Sequence, residues 1–324
     1  MIKAFVVDND RLCAVDDLLA NSDSIVWADL INPTKEEEKT IETWLGVDVP
    51  TREEMEEIEI SSRLYVEDGA YFMTATLPAQ TDIDDPQMSP VTFVLAGARL
   101  ITVRYHEPTA FKTFPQRAEK AATGCTSGDT ILIGLLEAIV DRLADILERA
   151  GRDIEAISRD IFEARSTKAS KRNRDFQELL KSIARKEDVA SSVRDSLISL
   201  QRLAGFFAHA SASTKMSKDT KARIKTLSRD VQSLADHVTF LSQKISFLLD
   251  ATLGMISIEQ NAIIKIFSVA AVIFLPPTLV ASIYGMNFDV IPELKWEFGY
   301  PFAIAMMVLS AILPYLYFRR RGWL

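Results

Sequence analysis

The stretch IFSVAAVIFLPPTLVASIYGMNF, residues 266–288, contains no charged side chain. A second such stretch, FGYPFAIAMMVLSAILPYLYF, covers residues 298–318. Each is long enough to cross a hydrocarbon layer, which takes about 20 apolar residues for about 30 Å. Two buried core helices are the alternative reading, but soluble cores rarely hold two uncharged runs that end on a basic tail. The flanks set the expected orientation. Arg319, Arg320 and Arg321 follow the second stretch, whereas the connecting segment carries Asp289, Glu293, Glu297 and the single Lys295. Basic residues stay on the cytoplasmic side, so both termini are expected inside and the short connection outside. Met1–Asp10 carries two acids and no signal-type apolar run, in keeping with an untranslocated N-terminus. Trp296 and Trp323 stand where interfacial aromatics belong, one at each face.

Working outward, charged residues recur every few positions from Met1 to about Asn261, as in a soluble region. The chain's 324 residues leave room there for more than one domain core. Cys13 and Cys125 are the only cysteines and form no ligand motif, and the three histidines, His106, His209 and His237, are scattered. A disulfide framework and a zinc site are therefore not expected. A net charge of −8 argues against nucleic acid as a partner and suits divalent cations. No nucleotide loop and no nucleophile–base pair stands out, so an enzyme is the least favoured class.

Residues 1–128 read as a cytoplasmic α/β domain. Ile2–Val7, Ile25–Leu30, Leu64–Glu67, Tyr71–Leu77, Val91–Leu95 and Leu100–Tyr105 are rich in β-branched and aromatic residues and read as strands. Asp68-Gly69 and Gly97-Ala98-Arg99 read as turns. Thr34 with Glu37, and Thr51 with Glu54, are capping boxes that open helices, the first ending near Gly46.

Residues 129–262 read as a helical bundle and stalk. Ile139, Leu143, Ile146, Ala150, Ile157 and Ile161 mark one helix, and a second runs roughly from Asp175 to Phe207, with a turn at Ala208–Ser217. Ile224, Leu227, Val231, Leu234, Val238, Leu241, Ile245 and Leu248 then alternate spacings of three and four, a heptad seam. An antiparallel bundle with the two preceding helices is preferred over a parallel coiled coil between subunits. No proline lies between Pro115 and Pro276, so the seam is expected to run into the first span as one helix. From Asp219 to Tyr284 it would measure roughly 100 Å, a mechanical link from a soluble region to the bilayer.

The first span covers 263–284, the connecting loop 285–297, the second span 298–318 and the basic tail 319–324. Asn261, Ile264, Ser268, Ala271, Leu275, Thr278 and Ser282 recur at sevenfold spacing, with intermediate positions, and share one helix face. Small and hydroxyl residues on such a face read equally well as helix–helix glue and as a pore lining. Pro276-Pro277 offers a bend. Gly285 suits a left-handed helix end, terminal carbonyls there favour a cation, and Asn287 adds a neutral amide oxygen.

The combination resembles the CorA-type magnesium transporters, the two-transmembrane Gly-x-Asn family, and in particular its bacterial magnesium branch. The resemblance rests on Tyr284-Gly285-Met286-Asn287, Pro292-Glu293-Leu294, Gly299-Tyr300-Pro301, the end Arg319–Leu324, and Ile258-Glu259-Gln260-Asn261 in the long helix. It is close from about Leu248 onward; upstream it rests on layout. It implies a funnel-shaped α+β membrane protein, a homopentamer whose first spans line a central pore. Gly285, Met286 and Asn287 would form the selectivity filter. Asn261, Leu275 and Thr278 fall where the family lines its pore, so Ser268, Ala271 and Ser282 join them on the lining and gate face. The family also holds its pore shut with cytoplasmic magnesium between subunits; Glu54 and Asp230 are the nearest candidates, although Thr226 stands where one acid is expected. The implied activity is passive magnesium influx, with cobalt or nickel as possible further cargo. Rival readings are the same architecture carrying zinc, and a membrane-anchored sensor with no pore.

Overall fold

In the computed structural model, residues 1–15, 18, 22–80, 86–121, 124–163, 169–213, 217–287 and 296–323 are described. The chain divides into two compact units, Met1–Leu249 and Asp250–Leu324.

The first unit begins with a seven-stranded mixed sheet: β1 (Ile2–Asp8), β2 (Arg11–Val15), β3 (Ile25–Ile31), β4 (Leu64–Glu67), β5 (Ala70–Ala79), β6 (Gln87–Ala96) and β7 (Arg99–Arg104). Their order is β2-β1-β3-β7-β6-β5-β4. β3 and β7 run parallel, while the other neighbours are antiparallel. The six expected strands are present, several longer than expected. β2 is an addition, joined to β1 through Asn9 and Asp10, which both take positive φ (50° and 60°). Asp68 and Gly69 also take positive φ and turn β4 into β5, the geometry that matches strand twist in a two-residue hairpin.

Helices α1 (Lys35–Leu45), α2 (Arg52–Glu56), α3 (Ile60–Arg63) and α4 (Ala110–Lys120) accompany the sheet. Both expected capping boxes form: the Thr34 hydroxyl accepts from the Glu37 N–H while the Glu37 carboxylate accepts from the Thr34 N–H, and Thr51 and Glu54 do the same. Gly46 closes α1 in the left-handed region. One side of the sheet buries Ile41, Val47, Val49 and Met55 against Ala28, Leu30, Phe72, Val94 and Ile101. Around Trp27 the core is aromatic: Phe5 stacks on it at 4.5 Å, and Phe111 and Phe114 from α4 lie at 6.5 and 6.1 Å.

A polar network sits inside this core. The Arg104 guanidinium donates to both carboxylate oxygens of Asp29, with the closest pair at 2.8 Å and both side chains under 5% exposed. Thr102 donates to Asp29 at 2.7 Å, and the Trp27 indole N–H donates to Thr102 at 3.0 Å. Arg104 also donates to the His106 carbonyl and stands 4.7 Å from the Phe111 ring. A buried charge pair repays its desolvation only when its remaining donors and acceptors are used, as they are here.

Three long helices follow: α5 (Gly128–Glu163), α6 (Ala169–Ser213) and α7 (Lys218–Tyr284). α6 continues to Ser213, beyond the turn expected at Ala208, because the Ala/Ser composition there does not oppose helix. In the seam, Ile224, Leu227, Val231, Val238, Leu241, Ile245 and Leu248 are buried, and Leu234 is half-buried. Cross-helix contacts fix directions. Arg223 grips Glu137 through two hydrogen bonds, Lys244 lies near Glu155 and Phe247 stacks on Phe162, so α7 runs parallel to α5. Gln201–Gln232 and Arg194–Ser242 make it antiparallel to α6. The expected antiparallel packing thus holds for one of its two partners. Past the end of β4, the Thr76 N–H on β5 donates to Ser199 of α6 at 3.0 Å, which ties the sheet to the bundle.

The second unit holds the C-terminal part of α7, its Gly285–Asn287 end, and α8 (Gly299–Arg320). α7 remains helical through Pro276 and Pro277.

Candidate functional site

Among the described residues, the two helices long and apolar enough to cross a membrane are α7 and α8, and only 6% of the most apolar window of each is buried. That separates them from the core helices of a soluble protein, whose apolar windows are covered.

Their surfaces are divided. In α7, Val269 is buried and Ile273, Pro276, Val280 and Tyr284 are half-buried, at spacings of three and four. In α8, Gly299 and Ala303 are buried and Met306, Met307, Ser310, Pro314 and Phe318 are half-buried. In a unit built from these two helices, this matched burial is their mutual contact. Gly299 and Ala303, one turn apart, are the small residues of this face.

The stripe lies elsewhere. Asn261, Ile264, Ser268, Ala271, Leu275, Thr278 and Ser282 are all exposed. At 3.6 residues per turn they fall on the side of α7 opposite the α8 contact. Within one chain the stripe is therefore not the glue between the spans. Thr278 donates to the Phe274 carbonyl at 2.7 Å, a local bond next to the two prolines, whose missing N–H groups leave the Val272 and Ile273 carbonyls without helical partners.

At the end of α7, the Gly285 N–H still donates to the Ala281 carbonyl at 3.0 Å, and the Met286 N–H donates to the Ile283 carbonyl at 3.3 Å. Gly285 is not among the positive-φ residues, which corrects the expected left-handed end. A Cβ there would lie 3.1 Å from the Ala281 carbonyl oxygen, a tight contact. Gly285, Met286 and Asn287 are exposed in the single chain. Asp289, Glu293, Lys295 and the Pro292-Glu293-Leu294 segment lie outside the described residues. Trp296 and Trp323 stand at opposite ends of α8.

Glu54 and Asp230 are placed on separate elements. The Glu54 carboxylate accepts from the N–H and hydroxyl of Thr51 at 2.8 and 2.9 Å. It lies close enough to Tyr65 that, after burial and Glu67, its charge helps push that phenol up to about 12. Asp230 is exposed on α7 and near α5: burial chiefly, then the charges of Glu137, Asp145 and Asp230 against an opposing Arg117, raise the Asp141 pKa. Among the described residues no group of three or more His, Cys, Asp and Glu is placed to hold a metal.

A sheet-and-bundle unit carrying two uncovered apolar helices defines a two-span membrane protein. The sequence matches the family described as CorA-like Mg2+ transporter protein over residues 22–320. It is 37% identical over 325 residues to the magnesium transport protein CorA of Pasteurella multocida (strain Pm70), with 100% of each chain covered. It is also 37% identical over 328 residues to that of Escherichia coli (strain K12), again with full coverage of both. The solved structure of the CorA magnesium transporter from Methanocaldococcus jannaschii has the same fold, with a TM-score of 0.79 at 18% identity, covering 100% of this chain and 99% of that one. The chain belongs to the CorA-like magnesium transporter family.

Proposed function

We propose that this chain carries magnesium passively across the inner membrane, several copies meeting so that their α7 stripes enclose the path. The observation that supports this most is the uncovered stripe from Asn261 to Ser282 on the side of α7 away from α8, leading to Gly285-Met286-Asn287. Five copies are the number implied by the resemblance. Residues 1–128 and 129–262 are then the cytoplasmic domain and stalk, 263–284 the pore helix, 285–297 the outer loop, 298–318 the outer helix and 319–324 the tail. Both termini lie inside, in accord with Arg319–Arg321.

Asn287 forms the filter ring, with Gly285 and Met286 shaping it. Magnesium sheds its water reluctantly and demands near-octahedral oxygen coordination. A ring of neutral amides holds the hydrated ion through its water, where carboxylates would bind it too tightly to release. Leu275, with Ala271 beside it, forms a hydrophobic constriction, and Asn261, Ser268, Thr278 and Ser282 wet the path between. A divalent ion gains about 4.6 kcal/mol on entering across 100 mV, so no ATP is required. Cytoplasmic magnesium held between neighbouring subunits by Glu54 and Asp230 closes the path, and cobalt and nickel are secondary cargo.

The test is flux into liposomes containing the purified full chain, read by an internal magnesium indicator with zinc, cobalt and nickel as competitors. Asn287→Ala is expected to leave the fold intact and to remove selective magnesium entry. Flux and selectivity equal to the unaltered protein would end the filter assignment. Zinc entry in preference to magnesium would favour the zinc reading.

A further inference from the structure

Lys265, Arg319, Arg320 and Arg321 stand where α8 ends, and the spans hold no acid to offset them. From Asn261 to Asn287 and from Phe298 to Trp323 the sequence has no Asp or Glu. Among the described residues, no ion pair includes any of the four.

The end of α8 is folded back. Gly322 takes a left-handed φ of 69°. Its N–H donates to the Arg319 carbonyl at 3.2 Å, and the Trp323 N–H donates to the Phe318 carbonyl at 3.0 Å. These are the two hydrogen bonds of a Schellman turn, and the apolar contact that accompanies the motif is present too: Trp323 stacks on Phe318 with ring centroids 5.3 Å apart. The indole is thus held in place. The Lys265 ammonium lies 5.8 Å from its ring centroid, and the Arg321 guanidinium lies 5.7 Å from that of Tyr317.

Helical spacing gives the directions. Lys265 lies one turn before Val269, between the line Val269, Ile273, Pro276 that faces α8 and the edge of the exposed stripe at Asn261 and Ser268. Arg321 continues the line Ala303, Ser310, Pro314 that faces α7. The Lys265 ammonium is nevertheless held over the Trp323 ring. It joins the arginines around that indole.

We propose that Lys265, Arg321 and Trp323, flanked by Arg319 and Arg320, form a binding site for the phosphodiester of an anionic phospholipid headgroup. Guanidinium and ammonium groups are the natural partners of phosphate. An indole prefers the depth at which headgroups begin, and basic side chains at that depth draw anionic lipid. Inorganic phosphate shares the anionic chemistry but lacks acyl chains to lie along the apolar surfaces of α7 and α8. The site rests on the membrane-spanning reading of these helices.

The experiment uses the full chain extracted in mild detergent, with bound lipid counted by native mass spectrometry after equal exposure to phosphatidylglycerol and phosphatidylcholine. Phosphatidylglycerol is expected to be retained in preference, its retention falling about fivefold in Lys265→Gln and recovering in Lys265→Arg. Arg321→Gln is expected to behave like Lys265→Gln. Equal retention of the two lipids, or phosphatidylglycerol retention unchanged in both glutamine variants, would overturn the proposal. So would displacement of the lipid by an equal concentration of inorganic phosphate. Extraction of the unaltered protein from vesicles by alkaline carbonate would instead defeat the spanning reading, and this site with it.

Discussion

The Met1–Leu249 unit completes its own interior, and the Asp250–Leu324 unit does not. In the first, Trp27, Phe93, Phe114 and Phe207 are fully buried and the charged Asp29–Arg104 pair has its partners. In the second, Ile264, Phe267, Phe274, Leu275, Leu279 and Leu313 are each at least 60% exposed, and among its described apolar side chains only Val269 and Ala303 are buried. The same chain thus follows two solvent rules. Where water is the solvent, apolar groups cluster and polar groups pair inside. Where lipid or further copies of the chain supply the cover, an apolar surface is no liability, and small residues and close packing take over the work of association.

Substitutions can break or sharpen this contrast. The largest effect is expected from Arg104→Ala, which strands the Asp29 carboxylate in the core of the first unit and costs about 3–5 kcal/mol. Denaturant unfolding followed by Trp27 fluorescence measures it, and a loss below about 1 kcal/mol would show the pair to be dispensable. Ala303→Leu inserts bulk where the two spans meet. It should destabilise the second unit by about 1–3 kcal/mol, seen as earlier thermal aggregation in detergent, whereas Leu313→Ala on the uncovered side should leave that temperature nearly unchanged. Leu275→Gly leaves both interiors intact and is expected to open the proposed constriction. Leak at high internal magnesium should rise several-fold in the liposome assay, and an unchanged leak would remove Leu275 from the gate.

The smallest effect concerns His106. Its pKa is lowered from 6.5 chiefly by burial and further by Arg104, against a hydrogen bond to the Leu77 carbonyl that raises it. The folded state therefore binds the proton more weakly than the unfolded chain. The associated stability is present above about pH 6.5 and is lost as the pH falls through the lower folded value. His106→Gln should flatten the decline in unfolding free energy between pH 7 and 5, and an identical slope would place its origin elsewhere.

Legibility followed locality. Strands flanking Asp68-Gly69, the capping boxes at Thr34 and Thr51, the heptad seam and both long apolar helices are written in residues a few positions apart, and all appear in the structure. β2 went unread because Arg11–Val15 is short, partly polar and paired only with β1. α4 went unread because Pro115 sits inside it. The parallel pairing of β3 with β7 joins Trp27 to Leu100 and leaves no local mark. At the site, the sevenfold spacing placed Asn261 to Ser282 on one face. Which face of an uncharged helix meets its neighbour is not written in hydrophobicity, since outside that stripe the remaining sides are mostly apolar. The readable clue was Gly299 and Ala303 four positions apart.

Asp29 and Arg104 stand 75 positions apart in sequence yet share hydrogen bonds inside the sheet. Either one, changed alone, strands the other's charge, so inheritance can abandon the pair only through a poorly folded intermediate or two simultaneous changes. Across descendants of this gene the two positions should be kept together or replaced together.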